Sequence, residues 1–165
     1  MDPHLRRLQQ EIVAAIAGLT SQQLVSHPPG KWCAAEVLEH LYLTYTGTIK
    51  GFGRLLEAGQ PLASHSTWKY SAQSLLVVGF GYMPRGREAP KSARPRGLPP
   101  ETVVADIGPK ISEMDAILTQ CAVKFGSRDK VLDHPILGPF SIEQWRKFHL
   151  IHGLHHVKQI RRLRG

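Results

Sequence analysis

The stretch His149-Leu-Ile-His152-Gly-Leu-His155-His156 near the C-terminus constrains this chain more than any other. On a helix, His152 and His156 stand one turn apart, roughly 5–6 Å along the axis and about 40° around it, so both imidazoles can converge on one cation. At about 100° per residue, Trp145, His152, His156 and Leu163 share a narrow stripe, with Ile142, His149, Gln159 and Ile160 beside it. Arg146, Lys147, Leu154, Lys158 and Arg161 fall on other faces, and His155 is displaced by more than a quarter turn from His156. Two histidines therefore sit among inward-facing apolar residues, and burying unpaired imidazoles is costly. Either they are core residues satisfied by backbone or side-chain partners, or they ligate one metal ion. A site that keeps positions open typically uses about three protein ligands, so the second reading needs a third from elsewhere.

The remaining segments supply facing helices. Asp2-Pro3 is an acceptable cap and first-turn pair, after which Leu5, Leu8, Ile12, Ala15, Ile16 and Leu19 repeat at helical spacing. Thr20-Ser21 can cap a short turn through Leu24, and His27-Pro28-Pro29-Gly30 blocks helix and starts a new element. From Lys31 to about Ala58, Trp32, Ala35, Val37, Leu38, Leu41, Tyr45, Ile49, Phe52 and Leu56 predict a long second helix ended by Gly59. Cys33, Val37, His40, Leu41 and Thr44 share one face of it, so His40 also points at the core and is the candidate third ligand.

A third helix is expected over Ser66–Phe80, followed by a long loop from Gly81 to Pro100 rich in proline and cations. Helical pattern resumes from Glu101 to Lys124, with Gly108-Pro109 expected to kink it or delay its start. A loop carries His134-Pro135 and Gly138-Pro139, and Ser141 three residues before Gln144 makes a capping box for the last helix. No strand is expected. The pieces fit one all-α domain over residues 1–165, an antiparallel four-helix bundle, in which metal sites are built from inward side chains on facing helices.

The formal charge of +8 suggests nucleic acid until it is located. Residues 81–100 hold Arg85, Arg87, Lys91, Arg94 and Arg96 against Glu88, and residues 158–165 hold Lys158, Arg161, Arg162 and Arg164, so each stretch contributes +4. Neither has a recognition helix or interleaved stacking aromatics, which disfavours nucleic acid as a partner. A solvated loop and a helix C-terminus whose cations complement the macrodipole account for both. The loop could also draw an anionic cosubstrate to the mouth of a site. Cys33 and Cys121 cannot make a disulfide framework, no apolar signal segment follows the start, and no run of about 18 apolar residues occurs. A soluble protein of the reducing cytoplasm, without a membrane partner, is expected.

Two motifs carry a family resemblance. Pro29-Gly-Lys-Trp32-Cys-Ala-Ala-Glu36-Val-Leu-Glu-His40-Leu resembles the first motif of the DinB/YfiT-like superfamily. His134-Pro-x-x-Gly138, Gln144-Trp145 and His152-x-x-His155-His156-x-x-Gln159-Ile160 resemble its closing motif. The resemblance implies a four-helix bundle holding a divalent metal, zinc or nickel first, with manganese or iron also allowed. Its ligands carried over by position are His40, His152 and His156. Cys33 departs from the serine frequent in relatives; it lies about two turns from His40, too far to join the same shell easily, and reads as a small buried residue rather than a reactive thiol.

On activity, some similar proteins transfer low-molecular-weight thiols such as bacillithiol, mycothiol or glutathione to electrophiles, related ones isomerise maleylpyruvate, and hydrolase activity has been proposed for others. The leading expectation is a small-molecule enzyme whose metal binds and deprotonates a thiol, which then attacks an electrophile. The alternatives are hydrolysis by metal-bound hydroxide, and a non-catalytic metal-binding or stress-related module. His149 and Glu36 are candidates for a general base, although a structural neighbour and a solvated helix charge describe them better, and no catalytic residue is assigned. A homodimer is expected from the relatives alone.

Overall fold

The computed structural model describes residues 1–64, 74–79, 81 and 88–164. Most of these are helical. Helix α1 spans Pro3–Ile16, α2 Ser21–Val25, α3 Ala34–Ala58, α4 Pro100–Phe125 and α5 Ile142–Leu163. The expected third helix over 66–80 lies largely outside the described residues; within it, Leu75–Gly79 forms a π-helical turn.

Local chemistry sets the helix ends. Asp2 accepts the His4 N–H ahead of Pro3, and Thr20 with Gln23 and Ser141 with Gln144 each form a reciprocal capping box. The helix α3 starts at Ala34 rather than Lys31, because Pro28-Pro29-Gly30 first makes a turn closed by Lys31 N–H on the Pro28 carbonyl. Gly30 takes φ +66° there, and Gly59 takes φ +69° to stop the helix, values that favour glycine. The helix α4 begins at Pro100 and runs through Pro109, so Gly108-Pro109 does not delay its start.

The helix α1 packs on α4 and α5, and α3 packs on α4 and α5. Leu5, Leu8, Ile12, Tyr45, Phe52, Ile107, Ile111 and Met114 are fully buried between them. Each such side chain contributes roughly 1.5–3 kcal/mol of transfer free energy. No described helix is long and apolar enough to cross a membrane.

The segment expected to be loop between α4 and α5 is instead an antiparallel hairpin, β1 Lys130–His134 and β2 Gly138–Ser141. Its register pairs His134 with Gly138, Asp133 with Pro139 and Leu132 with Phe140, with an irregularity between Lys130 and Leu132. Pro135 and Pro139 disfavour helix and are tolerated in a two-stranded ribbon, where every strand is an edge. Val131 and Phe140 anchor the hairpin in the core, and Gly138 adopts φ +74° at the turn. The hairpin lies against α3, where Leu132 Cδ2 would meet a Cβ on Gly51 at 3.1 Å.

Candidate metal centre

His40 reaches the centre from α3, and His152 and His156 reach it from α5. The N-terminal cap fixes the first: Glu36 turns back so that its Oε2 accepts the Cys33 N–H at 2.9 Å, and the helix started there carries His40 inward. The second and third follow from their spacing on the buried stripe. All three rings are buried, and one nitrogen from each lies within 4.8 Å of the other two. His152 Nε2 is the hub, 3.3 Å from His40 Nε2 and 3.1 Å from His156 Nε2. Tetrahedral imidazole nitrogens about 2.0–2.1 Å from a cation stand about 3.3–3.4 Å from one another.

Proton placement decides whether the protein alone can satisfy these atoms. His40 Nδ1 is 2.8 Å from the Ala93 carbonyl. A carbonyl only accepts, so Nδ1 carries the proton and Nε2 of the neutral ring is a lone pair. His156 Nδ1 donates in the same way to Gln159 Oε1 at 2.7 Å, leaving its Nε2 a lone pair as well. His152 Nδ1 is buried with no hydrogen-bond partner. A proton on His152 Nε2 can serve only one of the two facing lone pairs, whereas a proton on its Nδ1 leaves three lone pairs converging. No neutral arrangement pairs all three Nε2 atoms, whereas one cation among them would engage all three, with the proton of His152 left on its Nδ1. The donor set suits zinc, nickel or iron.

The electrostatics point the same way. Burial lowers the pKa of His40, partly offset by its bond to Ala93. Burial first, and then the neighbouring His40, bring His156 down to about 3. His152 is held well below its ordinary value by burial, then by the proximity of His156 and His40. All three rings are therefore neutral near pH 7, and a metal there competes with few protons. Phe148 stacks on His152 at 5.4 Å with planes 9° apart, and Trp32 lies 5.4 Å from His40, which fixes two of the rings.

The second half of the proline-rich loop holds His40 rather than floating in solvent. Buried Glu39 accepts the N–H groups of Arg96 at 2.6 Å and Gly97 at 3.1 Å, strapping the segment across α3. A short 3-10 turn at Lys91–Ala93 then presents the Ala93 carbonyl to His40. Arg94 pairs with Glu88 and Arg96 bonds the Ser92 carbonyl, so those two cations are engaged within the loop. Arg85 and Arg87 lie outside the described residues.

The other singled-out side chains lie elsewhere. His149 is fully buried, within 3.1 Å of Thr48 Oγ1 and stacked on Trp145 at 5.7 Å. Glu36 is committed to its cap, with His27 Nδ1 at 3.5 Å. Cys33 is buried at the start of α3, where burial raises its thiol pKa, and it groups with His27 and Glu36 rather than with the three imidazoles. Among the described residues no fourth histidine, cysteine or carboxylate joins the three. Their rings instead line a cleft of about 2010 Å³, together with Trp32, His134, Leu137 and Phe148. The sequence carried no signal for Ala93, while Glu39 stood in the first motif and Gln159 in the closing motif with no role attached.

Fold and site together define a predominantly helical protein with a buried three-imidazole cluster opening onto a cleft. Residues 4–163 match the family described as a protein of unknown function (DUF1569), and the chain belongs to that family. No curated protein and no solved structure matches it.

Proposed function

We propose that this chain is a metal-dependent enzyme on a DinB/YfiT-like four-helix bundle, activating a low-molecular-weight thiol for transfer to an electrophile. The observation that carries the reading is the convergence of three Nε2 atoms, two of them fixed as lone pairs, at the edge of an open cleft. His40, His152 and His156 would hold a divalent ion, zinc or nickel first. Such an ion supplies Lewis acidity, which lowers the pKa of a thiol or water bound to it. Ala93 and Gln159 keep the facing nitrogens of His40 and His156 unprotonated and aimed, and Trp32 and Phe148 pack against the rings of His40 and His152. The thiol would enter from the cleft and its sulfur would leave bonded to the electrophile, its proton returning to the adduct in an addition or departing with the displaced group in a substitution.

Thiol transfer is preferred over hydrolysis because Glu36 and Glu39, the carboxylates that flank His40 in α3, are both committed to backbone N–H groups. A thiol that loses its proton on binding needs no such base. The open cleft and the three-ligand set weigh against a purely structural ion. Both cysteines are free and buried, in keeping with a cytoplasmic setting. The test is conjugation of bacillithiol, mycothiol or glutathione to a fluorogenic electrophile. Metal-loaded protein should exceed free metal with at least one thiol, and chelation should abolish the rate. Equality with free metal for every thiol, with turnover only of a hydrolysable ester, would transfer the assignment to the hydrolase.

A further inference from the structure

His134 closes the hairpin, paired with Gly138, and lines the cleft. Its Nδ1 lies 3.2 Å from the N–H of Ile136 and 3.2 Å from that of Leu137. Both are backbone donors, so Nδ1 must accept, and the proton of the neutral ring is confined to Nε2. The ring cannot turn freely, since Phe148 meets it edge-on at 4.4 Å and Trp145 and Phe140 lie at 5.3 and 5.4 Å. Burial lowers its pKa to about 4, which keeps it an uncharged donor near neutral pH. Nε2–H has no acceptor among the described residues, and the ring lines the same cleft as the three imidazoles.

The placement relates that donor to the metal centre. Phe148 touches His134 on one side and stacks on His152 on the other, so one aromatic ring separates the two. The cleft wall beside the hairpin also carries Lys50 and Arg54, one residue before and three after the Gly51 against which Leu132 packs. Neither cation has a carboxylate partner among the described residues, and Asp133 is engaged by the Ser64 N–H at 3.0 Å. A fixed neutral donor with two unpaired cations nearby suits a carboxylate oxygen better than a carbonyl.

From this geometry we infer that His134 is a substrate-positioning residue, whose Nε2–H binds a carboxylate of a small acid while the other end of that molecule lies at the three-histidine centre. The inference rests on the metal-centre reading above and adds the class of ligand.

Cobalt(II)-substituted protein titrated with straight-chain mercaptocarboxylates of increasing length, and with propanethiol, tests it through the cobalt–sulfur charge-transfer band. One chain length should bind about tenfold or more tightly than propanethiol, as expected for a hydrogen bond to a charged group. His134→Phe, which keeps the ring contacts, should erase that advantage and leave cobalt stoichiometry and propanethiol affinity unchanged. His134→Asn keeps an acceptor for the Ile136 and Leu137 N–H groups but withdraws the distal donor, and should behave alike even where the phenylalanine variant folds poorly. The same affinity for mercaptocarboxylates and propanethiol in the parent overturns the role of His134, as does an equal loss for both ligands in the variants. Failure of the parent to take up cobalt, read before any thiol is added, overturns the metal centre and this inference with it.

Discussion

His149 shows how one residue type serves two ends on one helix. Three residues before His152, it meets Thr48 rather than another imidazole, and its Nδ1 is buried without a partner. Burial, then the nearby His134, bring its pKa down to about 3. The unfolded chain, with a histidine pKa of about 6.5, takes up the proton first as pH falls. Stability conferred at neutral pH is therefore lost between about 6.5 and 3, by about 1.4 kcal/mol for each pH unit and each such histidine. Urea midpoints of metal-free protein should fall from pH 7 to pH 5, and more shallowly in His149→Phe, where Thr48 retains its bond to the Thr44 carbonyl. Identical slopes in parent and variant would show that His149 titrates normally in the folded protein. The convergence of His40, His152 and His156 was legible because spacing and an apolar stripe mark them. The Ala93 carbonyl was not, since every residue carries one, and Glu39 reads like any solvated helix charge until its two N–H partners are seen.

The strap over α3 is the element that ties loop to site. Glu39 holds Arg96 and Gly97, which places Ala93 on His40, which leaves His40 Nε2 free to ligate. Partners of this kind typically change metal affinity by about 10–100-fold. Glu39→Ala should weaken metal binding by about that factor in a chelator competition, with helix content by circular dichroism retained. Unchanged affinity would mean that His40 is oriented by α3 alone. The helices α1, α2, α3, α4 and α5 were readable from periodicity and caps, because those signals are local. The hairpin was not, because Pro135, Gly138 and Pro139 carry turn chemistry and its strands are too short for alternation to register. What fixes it is His134 accepting two N–H groups and Val131 and Phe140 entering a core that only the packed helices create.

At the scale of the whole molecule, the helices bring residues 112 and 116 positions apart to a single point, since His152 and His156 meet His40 only when α3 and α5 pack. A metal ion bound there would therefore couple to folding, because the unfolded chain offers no preformed site. The most direct measurement is elemental analysis of untagged protein beside His40→Ala and His152→Ala, with folding checked by circular dichroism. Near-stoichiometric metal in the parent, lost in both folded variants, is the predicted result. A metal-free parent that also resists reloading with zinc, nickel, manganese and iron would contradict the account and leave three buried imidazoles with a structural role.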